Sequence, residues 1–432
     1  MHEPMLPYRT DTATNRPTPS VPDAPRGLDR RHGLNGNGAS ETSPSYADAE
    51  LFDCGTLLTL RRHKLQGHAR GRDIIRRACL VVLIGWSPLL ILAAYQSVVL
   101  RETGLASFLS DYAVACRSLI AAPLLVLAEW LSLPRLTAIA FHFRESGLVS
   151  KADDTRFAAA WTSTLRLRDS ITADAVLIAL AYVLLIALIS EVPPSAYPAW
   201  HLSMPSDEGA YSPAGWWHAL VSLPLLFVLL LTWIWRLIVW CRFLFLMSRL
   251  DLRLVPAHPD RTAGLRFVAY SVQAFSLVAL ALGTIAAGST ANRILNTGAQ
   301  PESFWMIPVV LLAGVIAVFA GPLVTFFSHL LRAWQRGTLQ YSAVASSLGR
   351  QFEKKWLRAG AVVDEDTLGV PDFSATTDLY QVASNVYEVR LIPISVTSLG
   401  ILVAMTVIPF LVLALMFTPI DVIVSEIARL LL

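Results

Sequence analysis

Seven stretches of this chain are apolar over the length of a membrane-crossing helix, and no other feature limits the possible folds so severely. A helix rises about 1.5 Å per residue, so about 20 residues cross the roughly 30 Å of hydrocarbon in a bilayer. The stretches are 79–100, 112–133, 174–192, 216–238, 266–289, 305–327 and 391–417. No water satisfies backbone N–H and C=O groups inside lipid, so each is expected to be helical. Composition agrees: 54% of the 432 residues are hydrophobic and only 16% are charged, where a water-soluble chain carries roughly 25% charge. The expected fold class is all-α, a polytopic α-helical membrane protein with seven transmembrane helices.

The net charge of +3 is small but unevenly spread, which speaks for membrane orientation and against a nucleic-acid partner. The first apolar run follows the dense sequence RRHKLQGHARGRDIIRR. The second connector carries Arg135, Arg144, Lys151, Arg156, Arg166 and Arg168, the fourth Arg242, Arg249, Arg253 and Arg261, and the sixth Arg332 through Arg390. The connectors between them hold only Arg101 and Arg293. Positive residues stay on the cytoplasmic side. A multi-pass protein of the bacterial inner membrane is therefore expected, N-terminus in the cytoplasm and C-terminus outside.

Around the 79–417 membrane domain the chain divides further. Residues 1–50 are rich in Pro, Ser, Thr, Asp and Gly without apolar periodicity and read as a disordered tail, followed by a basic lead-in helix over 51–78. Segments 134–173, 239–265 and 328–390 keep helical patterning beyond the apolar runs, predicting a cytoplasmic helical layer. TPIDVIVSEIARLLL, 418–432, reads as an amphipathic helix on the outer face. Trp233, Trp235 and Trp240 are expected at the inner headgroup level. Small residues at four-residue spacing, Ala279, Gly283 and Ala287, then Ala313, Ala317 and Gly321, predict close helix packing.

Ionisable groups inside the spans are candidates for function. Arg117 lies in the second span with Asp111, Glu102 and Glu191 as possible partners, although its side chain can also snorkel outward. Glu129 sits lower in the same span within reach of Arg135. Among nucleophile, phosphate-loop, zinc and dinucleotide motifs none is found, so no catalytic residue is assigned. Cys54, Cys79, Cys116 and Cys241 have no CxxC spacing, and His201, His218, Asp207 and Glu208 match no standard metal site. No cofactor or metal is expected.

The densest chemistry lies in LDLRLVPAHPDRTAG, 250–264. Two helix starts compete there, Pro259 at the first helical position or Asp260 as the cap of span five. Arg253, His258 and Arg261 remain as a cationic cluster beside Asp260, suited to a phosphate, a carboxylate or an anionic lipid headgroup. The segment resembles one in a family of uncharacterised bacterial polytopic membrane proteins, usually close to LDLRLVPxHPDRxGGL, with Ala263 standing in place of the first glycine of its pair. The C-terminal segment is similar to that family's ending. The resemblance implies this architecture and brings no activity with it.

Two functions fit these features. One is a binding, scaffold or regulatory component that engages a cytoplasmic protein partner, or a second copy, through its helical layer. The other is a channel or secondary transporter for a small anion or carboxylate.

Overall fold

The computed structural model describes residues 67–99, 104–191, 197–202, 211–357 and 371–417. The expected tail over 1–50, the start of the lead-in helix and the closing helix over 418–432 lie outside the described residues. Among those described, regular structure is helical apart from two isolated antiparallel bridges. Seven helices are long and apolar enough to cross a membrane: Gly71–Val99, Tyr112–Glu145, Ile171–Glu191, Pro213–Met247, Arg266–Asn296, Met306–Trp356 and Val396–Phe417. These are spans one to seven. The chain is an all-α polytopic membrane protein.

Several spans overrun the hydrocarbon, as expected from their patterning. Span four has 35 residues, about 50 Å of helix. Span six is longer still, with a 3-10 turn over Gly321–Phe326. Pro322 accounts for that turn, because it has no N–H to continue the ladder. Span seven starts at Val396 rather than at 391, because Pro393 disfavours helical backbone in the residue before it.

Span five is the hub. Two thirds of its apolar window is buried, 67%, against 11% for spans three and seven. It packs most extensively on span two, then on span seven and span six, while span three touches mainly span four. Close approach to span seven rests on Gly283, where a Cβ would overlap the Thr406 carbonyl oxygen. Gly288 has the same role against Cys116 in span two. The first small-residue stripe therefore packs as expected. The second does not: Ala313, Ala317 and Gly321 are exposed, because Val315 and Phe319 turn the opposite face of span six inward.

On the arginine-rich side the core is aromatic. Phe143 at the end of span two stands 4.9 Å from Phe267, 6.0 Å from Phe326 and 6.3 Å from Phe243, joining spans two, four, five and six. Trp233 and Trp240 belong to this core and not to a headgroup belt. The Trp233 indole donates to the Leu125 carbonyl oxygen at 2.9 Å. Trp216, at the opposite end of span four, is exposed as an interfacial ring should be.

The arginine-rich side also carries the helical layer. Asp154–Arg168 packs on span four. The C-terminal half of span six, Phe327–Trp356, pairs with the helix Pro371–Tyr387. Phe352 and Trp356 each lie 5.1 Å from Phe373, and the Tyr387 hydroxyl meets Ser342. The stretch LYQVASNVYEVRLIP is helical only to Tyr387.

Candidate functional site

The 250–264 segment folds as a compact turn, and neither expected helix start occurs in it. Helical backbone resumes only at Arg266. Asp260 nevertheless caps it from a distance. Its Oδ1 accepts from the N–H groups of Thr262 at 2.8 Å and Gly264 at 3.1 Å, and its Oδ2 accepts from Arg266 N–H at 3.1 Å. Burial alone would raise this carboxyl, but the backbone donors outweigh it and hold the pKa below the usual aspartate value. Wrapping the chain around one carboxylate forces left-handed backbone: φ is 58° at Arg261, 53° at Ala263 and 96° at Gly264. A glycine at 263 would adopt this angle freely, whereas the alanine holds it at a cost of roughly 1–2 kcal/mol.

The turn is tied into every neighbouring layer. Arg253 N–H donates to Leu148 O at 2.8 Å beside the Val149–Leu252 bridge. Asp251 N–H donates to the Asp153 carboxylate at 3.2 Å. Pro256 fills the space left by Gly337 in span six. Arg390 N–H donates to Arg261 O at 2.7 Å, joining the turn to the lead-in of span seven.

The expected cluster of Arg253, His258 and Arg261 is not assembled as one site. His258 places Nδ1 2.9 Å from Asp260 Oδ1, and Arg261 pairs with Glu388 at 2.9 Å. Arg253 contributes its backbone. A different group converges instead. A cleft of about 350 Å³ is lined by Asp260, Arg261, Thr262, Arg266, Arg390, Ser395 and Thr397, among others. Among the described residues no carboxylate oxygen lies within ion-pair distance of Arg266 or Arg390. The cleft opens where spans five and seven begin, and Ser395 occupies the N-cap position of span seven. Three arginines, one of them paired with Glu388, and a helix N-terminus thus line one space, an arrangement that attracts phosphate or carboxylate oxygens. Arg266 and Arg390 were not singled out from sequence, because Arg390 becomes a neighbour of Arg261 only through tertiary contact.

The intramembrane charges also differ from expectation. Glu129 does not pair with Arg135. Its Oε1 accepts from Arg236 Nη2 at 2.8 Å, and Arg77 approaches Oε2 at 3.9 Å. Arg236 is fully buried in span four and stacks over Trp233 at 4.8 Å. The sequence signal was available, an arginine inside LLLTWIWRLIVW, although its partner lies 107 residues away.

Arg117 sits in a π-helical turn, Cys116–Ala121, and His218 in another, Cys116's counterpart in span four being the first residue of His218–Ser222. Each turn ends just before the residue preceding a proline, Pro123 or Pro224, six positions after the Arg or His. A proline without an N–H cannot close the normal ladder, and the extra residue of a π turn absorbs the defect. Span one breaks nearby: Pro88 leaves the Ile84 carbonyl without its helical donor, and Trp217 Nε1 supplies one at 3.1 Å. Ser222 Oγ donates to Gly85 O at 2.8 Å.

Arg117 Nε donates to Ala113 O at 3.0 Å, while Asp111 accepts from Val114 N–H and Trp200 Nε1 at 3.1 and 3.2 Å. Glu102 lies outside the described residues, and Glu191 makes no ion pair with Arg117 within 4 Å. His201 and His218 stack edge to face, 4.7 Å between centroids. Burial, reinforced by the Arg117 charge, pushes the His201 pKa down to about 4. Asp207 and Glu208 lie outside the described residues. Among the described residues no group of three or more His, Cys, Asp or Glu is placed to hold a metal.

No protein-family model, curated protein or solved structure matches this chain.

Two outcomes follow from this chemistry. Because the folded Asp260 carboxyl has the lower pKa, its stabilising contribution is complete above the unfolded value near ~3.9 and is lost as pH falls through the folded value. Asp260→Asn is expected to remove that acid-sensitive component from the thermal midpoint in detergent and to cost about 1–3 kcal/mol at neutral pH; an unchanged acid profile would contradict it. Glu129→Ala, which removes the carboxylate facing Arg236, is expected to cost about 3–5 kcal/mol, and the double change Glu129→Leu with Arg236→Met to recover most of it. Comparing the three melting curves decides this, and equal losses in single and double variants would refute the coupling.

Proposed function

We propose that the protein is a binding and regulatory component of the bacterial inner membrane, whose arginine-rich face recognises a phosphate-bearing ligand at headgroup depth and presents a helical layer to a protein partner. The observation that carries this reading is the cleft between Arg261, Arg266 and Arg390 at the start of spans five and seven. Its place at the ends of two spans favours the phosphate of an anionic lipid, because basic clusters at a membrane surface draw such headgroups. Rigid anchoring supports recognition: Arg261 and Arg390 are joined backbone to backbone, and Asp260 fixes the turn before Arg266.

The transporter reading draws on Arg117. The space beside that residue is about 10 Å³, room for about one water-sized body. A space this small favours binding over passage.

Lysine and arginine bias supports a cytoplasmic N-terminus. Cysteines introduced singly at Gln300 and at Ser146 report it: in intact cells a membrane-impermeant maleimide is expected to label the first and spare the second, and the reverse result would invert the topology.

Ligand recognition is tested on the purified full chain in neutral detergent, following its thermal midpoint with phosphatidic acid, phosphatidylcholine or inorganic phosphate. Phosphatidic acid is expected to raise the midpoint saturably. Arg266→Gln and Arg390→Gln should each weaken that response about tenfold or more, as loss of a charged hydrogen bond does, while Arg253→Gln leaves it intact. An equal response to inorganic phosphate assigns the site to a free anion, and no response from any of the three sinks the reading.

A further inference from the structure

Spans one, two and four all depart from regular helix around the same small space. Gly85 marks the break in span one, Arg117 and Ser118 lie in the π turn of span two, and His218 and Ser222 lie in that of span four, and all five line one cavity. Its remaining walls are apolar: Val81, Ala122 and three leucines. Irregular backbone within a membrane persists where it is enclosed by protein or lines a cavity, and π turns recur where a helix must place a functional side chain.

The groups around this space leave the Arg117 charge without a contact anion. Arg117 brings a positive charge into the low-dielectric region, and among the described residues no carboxylate oxygen lies within 4 Å of it. Asp111, the acid whose field reaches it, stands outside contact distance and accepts from Val114 N–H and Trp200 Nε1. His218 is 5% exposed, and its Nδ1 has no hydrogen-bond partner among the described residues. Ser222 Oγ donates to Gly85 O. A cation in a low-dielectric region with no anion in contact attracts one.

We infer that the space between Arg117 and His218 is a binding site for a single monatomic anion of the size of chloride. The volume of about 10 Å³ admits one compact body and no phosphate or carboxylate. Donors on two sides suit a halide: the Arg117 guanidinium and an N–H of the His218 ring, both of which line the space. The apolar walls lower the local dielectric, which strengthens the electrostatic attraction. The site is distinct from the cleft at Arg266 and Arg390, and rests on different spans.

The test exchanges halide for gluconate at constant ionic strength and follows the thermal midpoint of the full chain in detergent. Chloride and bromide are expected to raise the midpoint saturably, and Arg117→Gln to weaken the apparent affinity about tenfold or more. Arg390→Gln should leave the halide response unchanged. A flat response to halide overturns the proposal, as does a response that survives in Arg117→Gln. Where that variant fails to fold, anomalous scattering from wild-type crystals grown in bromide decides: a peak between Arg117 and His218 supports the site, and ordinary water density there refutes it.

Discussion

A proline in a helix surrounded by hydrocarbon leaves a carbonyl that water cannot reach, and the half of this molecule away from the arginine-rich connectors is organised by that constraint. Pro88, Pro123 and Pro224 each remove a donor from a different span. Span one settles its debt through another span, with Trp217 and Ser222 reaching across to Ile84 O and Gly85 O. Spans two and four settle it internally by widening into π turns. These repairs bring an arginine, a histidine and two serines to one depth. The polar pocket is thus a by-product of backbone accounting, in the sense that the residues displaced from regular helix are the ones that line it.

The opposite half depends on a single carboxylate. Asp260 collects three backbone donors, and the loop drawn around it becomes rigid enough to accept hydrogen-bonded strands of chain from the second connector and from the approach to span seven. Most of the polar residues that make 250–264 conspicuous are spent on this construction. Asp251, Pro256, His258 and Asp260 hold the turn together. Arg261, paired with Glu388, is the arginine of this stretch that lines the cleft, so the cleft's position is a consequence of how the connector is anchored.

Fold class and the seven spans were legible in the sequence because hydropathy is a local, additive property and lipid tolerates little else. The limits of that legibility are equally physical. Glu129 was visible as a buried acid, but the sequence neighbour Arg135 stood in for Arg236, since nothing in a linear chain reveals which face of span four meets span two. Trp233 and Trp240 resembled an interfacial belt because helix overrun puts core aromatics at the same sequence distance as headgroup aromatics. The junction stands out in the sequence by its charge, while the residues that line the cleft with Arg261 come from elsewhere in the chain. Arg253 and His258 lie next to Arg261 in sequence, whereas Arg266 and Arg390 meet it through the approach of spans five and seven. Prolines six residues after Arg117 and His218 were the readable sign of the two π turns.

The pairing of Arg236 with Glu129 also sets an order of events. Membrane spans enter the bilayer from the N-terminus onward as the chain is made, and an arginine at the centre of an isolated helix costs roughly 2.5–3.5 kcal/mol to insert. Spans one and two precede span four, and they bring Glu129 with Arg77 beside it. The acid is therefore already made when Arg236 follows, so the contact that holds the finished bundle together is available to span four from the start, acid first and base second along the chain.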